Sequence, residues 1–379
     1  MAPMTHRPHI ALNAHLLSGA ASYRSAGIHG YLFNTLAHLP AAAPHFDFTV
    51  YVGQGDPPAD PALQVCRSSL PTANPWVRIL WEQALAPVDL ARRRPDLFHG
   101  MAFSAPLLWG GPAVVTIYDL SFLRYPERLS TARHAYLQGI TRASARRARR
   151  VIAISESGRA EIHDLLGVPL DRIDVALPGV DPVFRPLPPE QVAGFRERAG
   201  LPARFILHVG TLEPRKNLQM LLHAYAALPD RAQVKLVLIG APGWQSEPFF
   251  ALREALNLTN DVLLPGYIAP SDLPLWYNAA EAVVYPSVYE GFGLPVVEAM
   301  ACGTPVVASN TTSLPEAVGP DGLLLPPDDP QSWTDTLNSL LNHPERRAEL
   351  AARGPQRASR FTWAQTARAT VECYQRALG

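Results

Sequence analysis

Residues 285–308 read YPSVYEGFGLPVVEAMACGTPVVA, and the order of apolar runs, glycines and proline in them spells strand, loop, helix, strand. An apolar run from Ala282 closes at Tyr285, and a loop then carries Glu290. Gly291 and Gly293 follow, where a chain that must bend tightly benefits from having no Cβ. Pro295 suits the first turn of a helix, since its missing N–H has no partner there in any case. Glu298 falls on that turn, and Pro305–Ala308 resumes a short β-branched strand.

The same rhythm extends on both sides. Downstream of residue 203, Phe205–Val209, Lys235–Ile239, Val262–Leu264 and Leu323–Leu325 read as further strands, with helices at Leu218–Leu228 and Pro248–Leu256. In the first half, His9–Ala14, Phe48–Val52, Leu97–His99, Ala113–Tyr118 and Val151–Ile154 are strand-like, and Gly27–Leu39 carries Ile28, Leu32, Leu36 and Leu39 at helical spacing. Ser155 resembles the N-cap of a following helix. Short apolar strands alternating with helices predict parallel, doubly wound sheets buried on both faces. Six prolines between Pro178 and Pro202 interrupt the pattern around a short helical piece, Glu190–Ala199. The division expected is therefore a domain at 1–182, a Pro-rich hinge at 183–202, a second domain at 203–358 and a terminal helix at 359–379. Two Rossmann-like sheets facing across a cleft would bind ligands beyond their strand carboxyl ends.

Composition narrows the class. The 379 residues are 47% hydrophobic and 17% charged, enough apolar material for two cores. A formal net charge of zero leaves no global basic footprint for nucleic acid. Three widely spaced cysteines make neither a disulfide framework nor a metal-ligand pattern, which fits a reducing, cytoplasmic compartment. Gly100–Tyr118 is uncharged over nineteen residues, but Pro106, Gly110, Gly111 and Pro112 argue for a loop and a strand rather than a membrane span. Of 33 basic residues only Lys216 and Lys235 are lysine, so a lysine beside Arg215 stands out.

Two constellations carry chemistry. Glu290 in its loop and Glu298 one turn into the helix can each accept hydroxyl hydrogen bonds from a sugar or ribose, and free N–H groups at the helix start can receive a phosphate. At arbitrary spacing such a pair is more simply a solvated acid and a helix-dipole acid. The second is HVGTLEPRKNLQMLLHAY, residues 208–225. Here Arg215 and Lys216 precede a helix start, where Arg forks onto phosphate oxygens and Lys supplies a point charge.

The E-x7-E spacing of Glu290 and Glu298, with GFGLPVV between them, resembles family 4 of the retaining glycosyltransferases of GT-B fold. The resemblance implies that Glu290 contacts the transferred sugar and Glu298 the donor ribose. It implies that the stretch from Gly210 to Arg215 and Lys216 grips the diphosphate. Gly291, Phe292, Gly293 and Leu294 would line the donor, and Tyr267, in the Gly266–Leu273 turn, the base. In the first half Gly27 matches a flexible glycine loop near diphosphate and acceptor, with Arg24 and Ser25 weaker candidates. His99 and Asp119 stand at strand ends near which relatives place reacting groups, and His99 reads equally as a satisfied structural histidine. The sequence departs from the family at two points, with Met101 in place of the second histidine of His-x-His and Tyr118 in place of the histidine before Asp119.

What the resemblance implies is transfer of a hexose, mannose favoured, from a nucleoside-diphosphate sugar to a saccharide or lipid-linked acceptor with retention of configuration. GDP is the favoured donor base over UDP. No cofactor and no metal are expected, since no Asp-x-Asp stands in a strand-end loop. The basic stretch Arg142, Arg146, Arg147, Arg149 and Arg150 reads as a solvated face, or as a peripheral contact to anionic lipid at the inner membrane face. The rival readings are a nucleotide-sugar-binding protein without catalysis and a GT-B-fold epimerase of UDP-sugars.

Overall fold

The computed structural model describes residues 6–17, 26–128 and 130–379. Arg24 and Ser25, named above as loop candidates, lie outside the described residues. The chain divides into two compact units, residues 1–179 with 362–379, and residues 180–361.

The first unit is built on seven strands: β1 (His9–Asn13), β2 (Asp47–Val52), β3 (Leu63–Arg67), β4 (Leu97–Gly100), β5 (Ala113–Ile117), β6 (Arg150–Ala153) and β7 (Ile173–Val175). They pair in parallel throughout, in the order 3-2-1-4-5-6-7. The second unit has six: β8 (Phe205–Val209), β9 (Lys235–Ile239), β10 (Val262–Gly266), β11 (Ala282–Tyr285), β12 (Val306–Ser309) and β13 (Leu323–Leu325). These are also parallel, in the order 10-9-8-11-12-13. Each sheet winds outward from its first strand, then reverses. The switch points lie between β1 and β4 and between β8 and β11, where loops leaving adjacent strands diverge and make room for a ligand.

The apolar runs form these strands because both faces are covered. Every residue of β8 and β11 is buried, and helices complete a core cluster on either side of each sheet. Ser155 caps the helix Glu156–Leu166 by accepting from Gly158 N, and Gly167 ends it at φ 70°. Residues 101–112 form a loop before β5, and among the described residues no helix is long and apolar enough to cross a membrane.

Two strands escape the sequence pattern. β3 is an edge strand whose Gln64, Val65 and Arg67 face solvent, so it lacks the apolar run of a central strand. β7 is three residues long, and its Asp174 pairs with Arg150 and Arg376.

The stretch 183–202, expected as a hinge, lies wholly within the second unit. Its helix, Pro189–Arg198, is anchored by Arg196, which donates to the carbonyls of Ala279 and Pro202, each at 2.6 Å. Prolines bar this segment from a sheet without freeing it from the core. The chain passes between units at 179/180 and 361/362. The helix Trp363–Leu378 belongs to the first unit, where Val371, Cys373, Tyr374 and Ala377 join a core cluster with β1, β2 and β4 residues.

The arginine stretch is not a free comb of charge. Arg142, Arg146, Arg147 and Arg149 donate to the carbonyls of Leu165, Leu166, Trp109 and Ala377, and Arg150 pairs with Asp174. These hydrogen bonds tie the helix Thr131–Arg147 and the residues after it to their neighbours in the first unit, while Arg142, Arg146, Arg147 and Arg149 stay exposed.

Candidate active site

At the switch point of the second unit, the loop after β8 turns through a short 3-10 helix, Pro214–Lys216. Asn217 then takes a left-handed conformation at φ 55° and opens the helix Leu218–Ala226. Gly210 keeps the first turn narrow, because a Cβ there would stand 3.1 Å from His208 Nε2 and 3.4 Å from Lys216 Cε. The Lys216 chain consequently runs back under the loop and is 4% exposed.

The loop after β11 brings Glu290 to the same place. Lys216 Nζ donates to Glu290 Oε1 at 2.5 Å and to the Tyr285 hydroxyl at 2.8 Å. Arg215 Nη1 donates to Glu290 Oε2 at 3.0 Å and to the Tyr289 carbonyl at 3.1 Å, while its Nε pairs with Glu213. Two cations and two carboxylates thus form one network with no net charge. Glu213, which sequence reading did not single out, is buried at 6% and balances Arg215. The only signal for it was an acid two residues before an arginine.

Burial pushes the Glu290 carboxyl up, but Lys216 and Arg215 outweigh it and hold the pKa at about 2. Burial and the Arg215 charge lower Lys216 to about 8, with Glu290 pulling the other way. His208, fully buried and stacked on Tyr285, is lowered to about 4 by burial and by Lys216. It is therefore neutral at physiological pH.

Glu290 is held by its backbone as well. Its N–H donates to Thr312 Oγ1 at 3.2 Å, and Ser313 Oγ donates to its carbonyl at 3.0 Å. Gly293 then takes φ 104°, a conformation only glycine adopts readily, and an added Cβ would lie 2.8 Å from Leu314 Cδ2. Gly291 and Leu294 flank it, Leu294 opening the helix Leu294–Ala301 with its first-turn N–H groups at the loop. The Phe292 side chain is 3% exposed and packs edge-to-face on Phe361 at 5.3 Å, so it is part of the packing.

Glu298 sits on that helix and accepts from the Tyr277 hydroxyl at 2.9 Å. Burial pushes its carboxyl up to about 7 against the pull of Tyr277, and Asp181 adds to the rise. The two acids of the spaced pair therefore differ in kind: Glu290 is a locked anion, Glu298 a carboxyl that titrates near neutrality. Tyr267 is 42% exposed just beyond Gly266, which ends β10 at φ 82°. Among the described residues no three His, Cys, Asp or Glu side chains converge as metal ligands.

The first-unit candidates fare differently. His99 is 1% exposed, with Nδ1 bonded to the Tyr374 hydroxyl at 2.7 Å and Nε2 to Thr116 Oγ1 at 2.8 Å. Burial lowers its pKa to about 3, so it is a neutral core residue with both nitrogens engaged, and its catalytic assignment is corrected. Asp119 Oδ1 accepts from Ser121 N at 2.9 Å and starts the short helix Ser121–Arg124. Met101 and Tyr118, the two departures from the family pattern, are joined: the Tyr118 hydroxyl donates to the Met101 carbonyl at 2.8 Å. Gly27 is exposed in the helix Ala26–Ala42, and a Cβ there would meet nothing, so no close approach demands glycine.

Comparison with known proteins follows the two units. Residues 195–357 match the family model "Glycosyl transferases group 1", and residues 26–184 match "Glycosyltransferase Family 4". The chain is 35% identical over 282 residues to O-antigen chain mannosyltransferase B of Escherichia coli, covering 74% of each sequence. It is 39% identical over 243 residues to the D-inositol 3-phosphate glycosyltransferase of Frankia alni, covering 60% of this chain and 59% of that one. Among solved structures, Anabaena HepE in complex with UDP and glucose superposes with a TM-score of 0.73 at 22% identity, covering 97% of this chain and 99% of that one, a likeness of fold.

Proposed function

Since the chain belongs to family 4 of the glycosyltransferases, with the GT-B fold, we propose that it moves a hexose from a nucleoside-diphosphate sugar to a saccharide or lipid-linked acceptor, with retention of configuration and without a metal ion. The observation that carries this is the Arg215–Glu290–Lys216 network at the switch point of the second sheet. A diphosphate arriving there meets a guanidinium and an ammonium already oriented by one carboxylate, so little reorganisation accompanies charge development on the leaving group. On this reading Glu290, anionic throughout the physiological range, holds sugar hydroxyls, and Glu298 takes those of the ribose.

In the reaction, the bond from the anomeric carbon to the phosphate oxygen breaks while the acceptor oxygen bonds on the same face. The acceptor proton passes to the departing phosphate. Mannose and GDP are the favoured donor components, on the strength of the mannosyltransferase relative, and the cytoplasmic side is the favoured location.

A thermal-shift panel of GDP, UDP, ADP and their sugars tests the reading, because a ligand that binds only the folded chain raises its melting temperature. One nucleotide should stand out, and product analysis with that donor should show a new glycoside. Failure of every nucleotide to stabilise the chain, or complete loss of transfer with EDTA, would contradict the proposal. A new sugar nucleotide formed without acceptor would mark an epimerase, and binding without turnover a binding protein.

A further inference from the structure

The first sheet has its own switch point, and a pocket of about 220 Å³ opens beyond the carboxyl ends of β1 and β4. One water needs roughly 10–15 Å³ on the same measure, so the space suits a ligand of several heavy atoms. Its floor is polar. Asn13, the last residue of β1, donates from Nδ2 to Glu82 Oε2 at 3.0 Å and accepts at Oδ1 from His15 Nδ1 at 2.8 Å. With Nδ1 donating, His15 Nε2 presents a lone pair; His15 is 6% exposed and this atom has no hydrogen-bond partner. Glu82, 7% exposed, sits on a π-helical turn, Trp81–Leu85, set into the helical run from Pro75 to Arg93. Such turns recur at functional sites because they re-aim a side chain out of helical register. Burial pushes the Glu82 carboxyl above its ordinary range.

Above this floor stand aromatic walls from Trp76, Phe103 and Tyr136, together with two guanidiniums, Arg78 and Arg133. Burial lowers the Arg78 pKa, Glu82 pulls it back up, and Arg133 is close enough to lower it further. Among the described residues neither forms an ion pair with a carboxylate, although Glu82 lies one turn from Arg78. Two guanidiniums beside one buried carboxyl leave an excess of positive charge that suits an anion, and Arg forks match phosphate oxygens. A floor that mixes an acceptor nitrogen, an amide and a carboxyl suits hydroxyl groups, and ring faces suit the apolar face of a sugar.

We propose that this pocket binds a phosphorylated sugar, its phosphate bridging Arg78 and Arg133 and its hydroxyls meeting Asn13, His15 and Glu82. Casting that ligand as the acceptor of transfer rests on the proposed function; the binding itself does not.

Isothermal titration of the intact chain with mannose 6-phosphate, in saturating GDP and UDP, tests it. The expected result is saturable binding that Arg78→Gln and Arg133→Gln each weaken about ten-fold or more, with unphosphorylated mannose weaker by a similar factor. Arg133 is exposed, so its substitution leaves folding intact, and a thermal melt checks the half-buried Arg78 variant. Absence of binding, binding unchanged in both variants, or glucuronate binding as tightly as the phosphate would each overturn the proposal. Lys216→Ala separates the two sites: loss of sugar-phosphate binding in that variant would put the ligand in the second unit and also overturn it. Successful titration alongside failed transfer would leave this pocket standing and remove the donor-side reading alone.

Discussion

Lys216 Nζ lies 2.5 Å from Glu290 Oε1 although 74 residues separate them, and Arg215 holds the other oxygen of the same carboxylate at 3.0 Å. Glu290→Gln preserves shape and removes the charge. Turnover, followed as nucleoside diphosphate release with acceptor present, should fall about 100-fold or more. Unchanged turnover would take Glu290 out of the chemistry.

Acid should weaken the parent more than that variant. The folded pKa of Glu290, about 2, is below the ordinary 4.5, so its contribution is fully present above pH 4.5 and lost as pH falls through 2. The shift corresponds to on the order of 2–3 kcal/mol. Urea midpoints of parent and Glu290→Gln should therefore converge between pH 5 and pH 2.5; a constant gap would deny that the ion pair is felt in solution.

Glu298 carries the opposite sign. Its pKa is raised from 4.5 to about 7, so stability is lost as pH climbs from 4.5 through 7, and the loss is constant above that. Glu298→Gln should be more stable than the parent by on the order of 2–3 kcal/mol at pH 8 and near parity at pH 4. Nucleotide affinity should drop in the same variant. A variant less stable at pH 8 would refute the assignment of a buried, reluctant anion.

Gly293→Ala should destabilise the chain by about 1–3 kcal/mol, because φ 104° is strained for alanine and its Cβ would meet Leu314 at 2.8 Å. The same displacement moves the Glu290 loop, so nucleotide-induced thermal stabilisation should shrink with it. A melting temperature within 1–2 °C of the parent, roughly the noise of a thermal scan against the shift expected for this size of chain, would show that the loop absorbs the change.

His99→Ala should lower stability by about 1–3 kcal/mol, since it leaves the buried hydroxyls of Tyr374 and Thr116 without their partner. Activity per folded molecule should stay within about three-fold of the parent, a limit well short of the ~100-fold or larger loss typical of a removed general acid or base. A greater loss, in a variant that circular dichroism shows to be folded, would restore His99 to the chemistry.

The central strands were legible because burial on both faces writes them as apolar runs, as in FILHV of β8 and AVVY of β11. Edge strand β3 was not, because three of its five residues face water and read as loop. The E-x7-E spacing, with its glycines and proline, located the Glu290 loop, since backbone geometry at Gly293 is a local demand. For His99 the sequence left two readings open, because a strand-end histidine looks the same whether it faces a ligand or a core. Only the helix Trp363–Leu378, arriving 275 residues later with Tyr374, decides between them.

The sequence by itself determined the two parallel α/β sheets and the loops that leave their switch points, since hydrophobic period, glycine and proline act over a few residues. Tertiary structure decided the charge state of the site. Arg215 and Lys216 are joined to Glu213 and Glu290 only by folding, and two similar glutamates become a fixed anion at pKa about 2 and a neutral-range acid at about 7. Those properties depend on burial and on charges brought together from distant positions, and such long-range terms have no local signature in a chain.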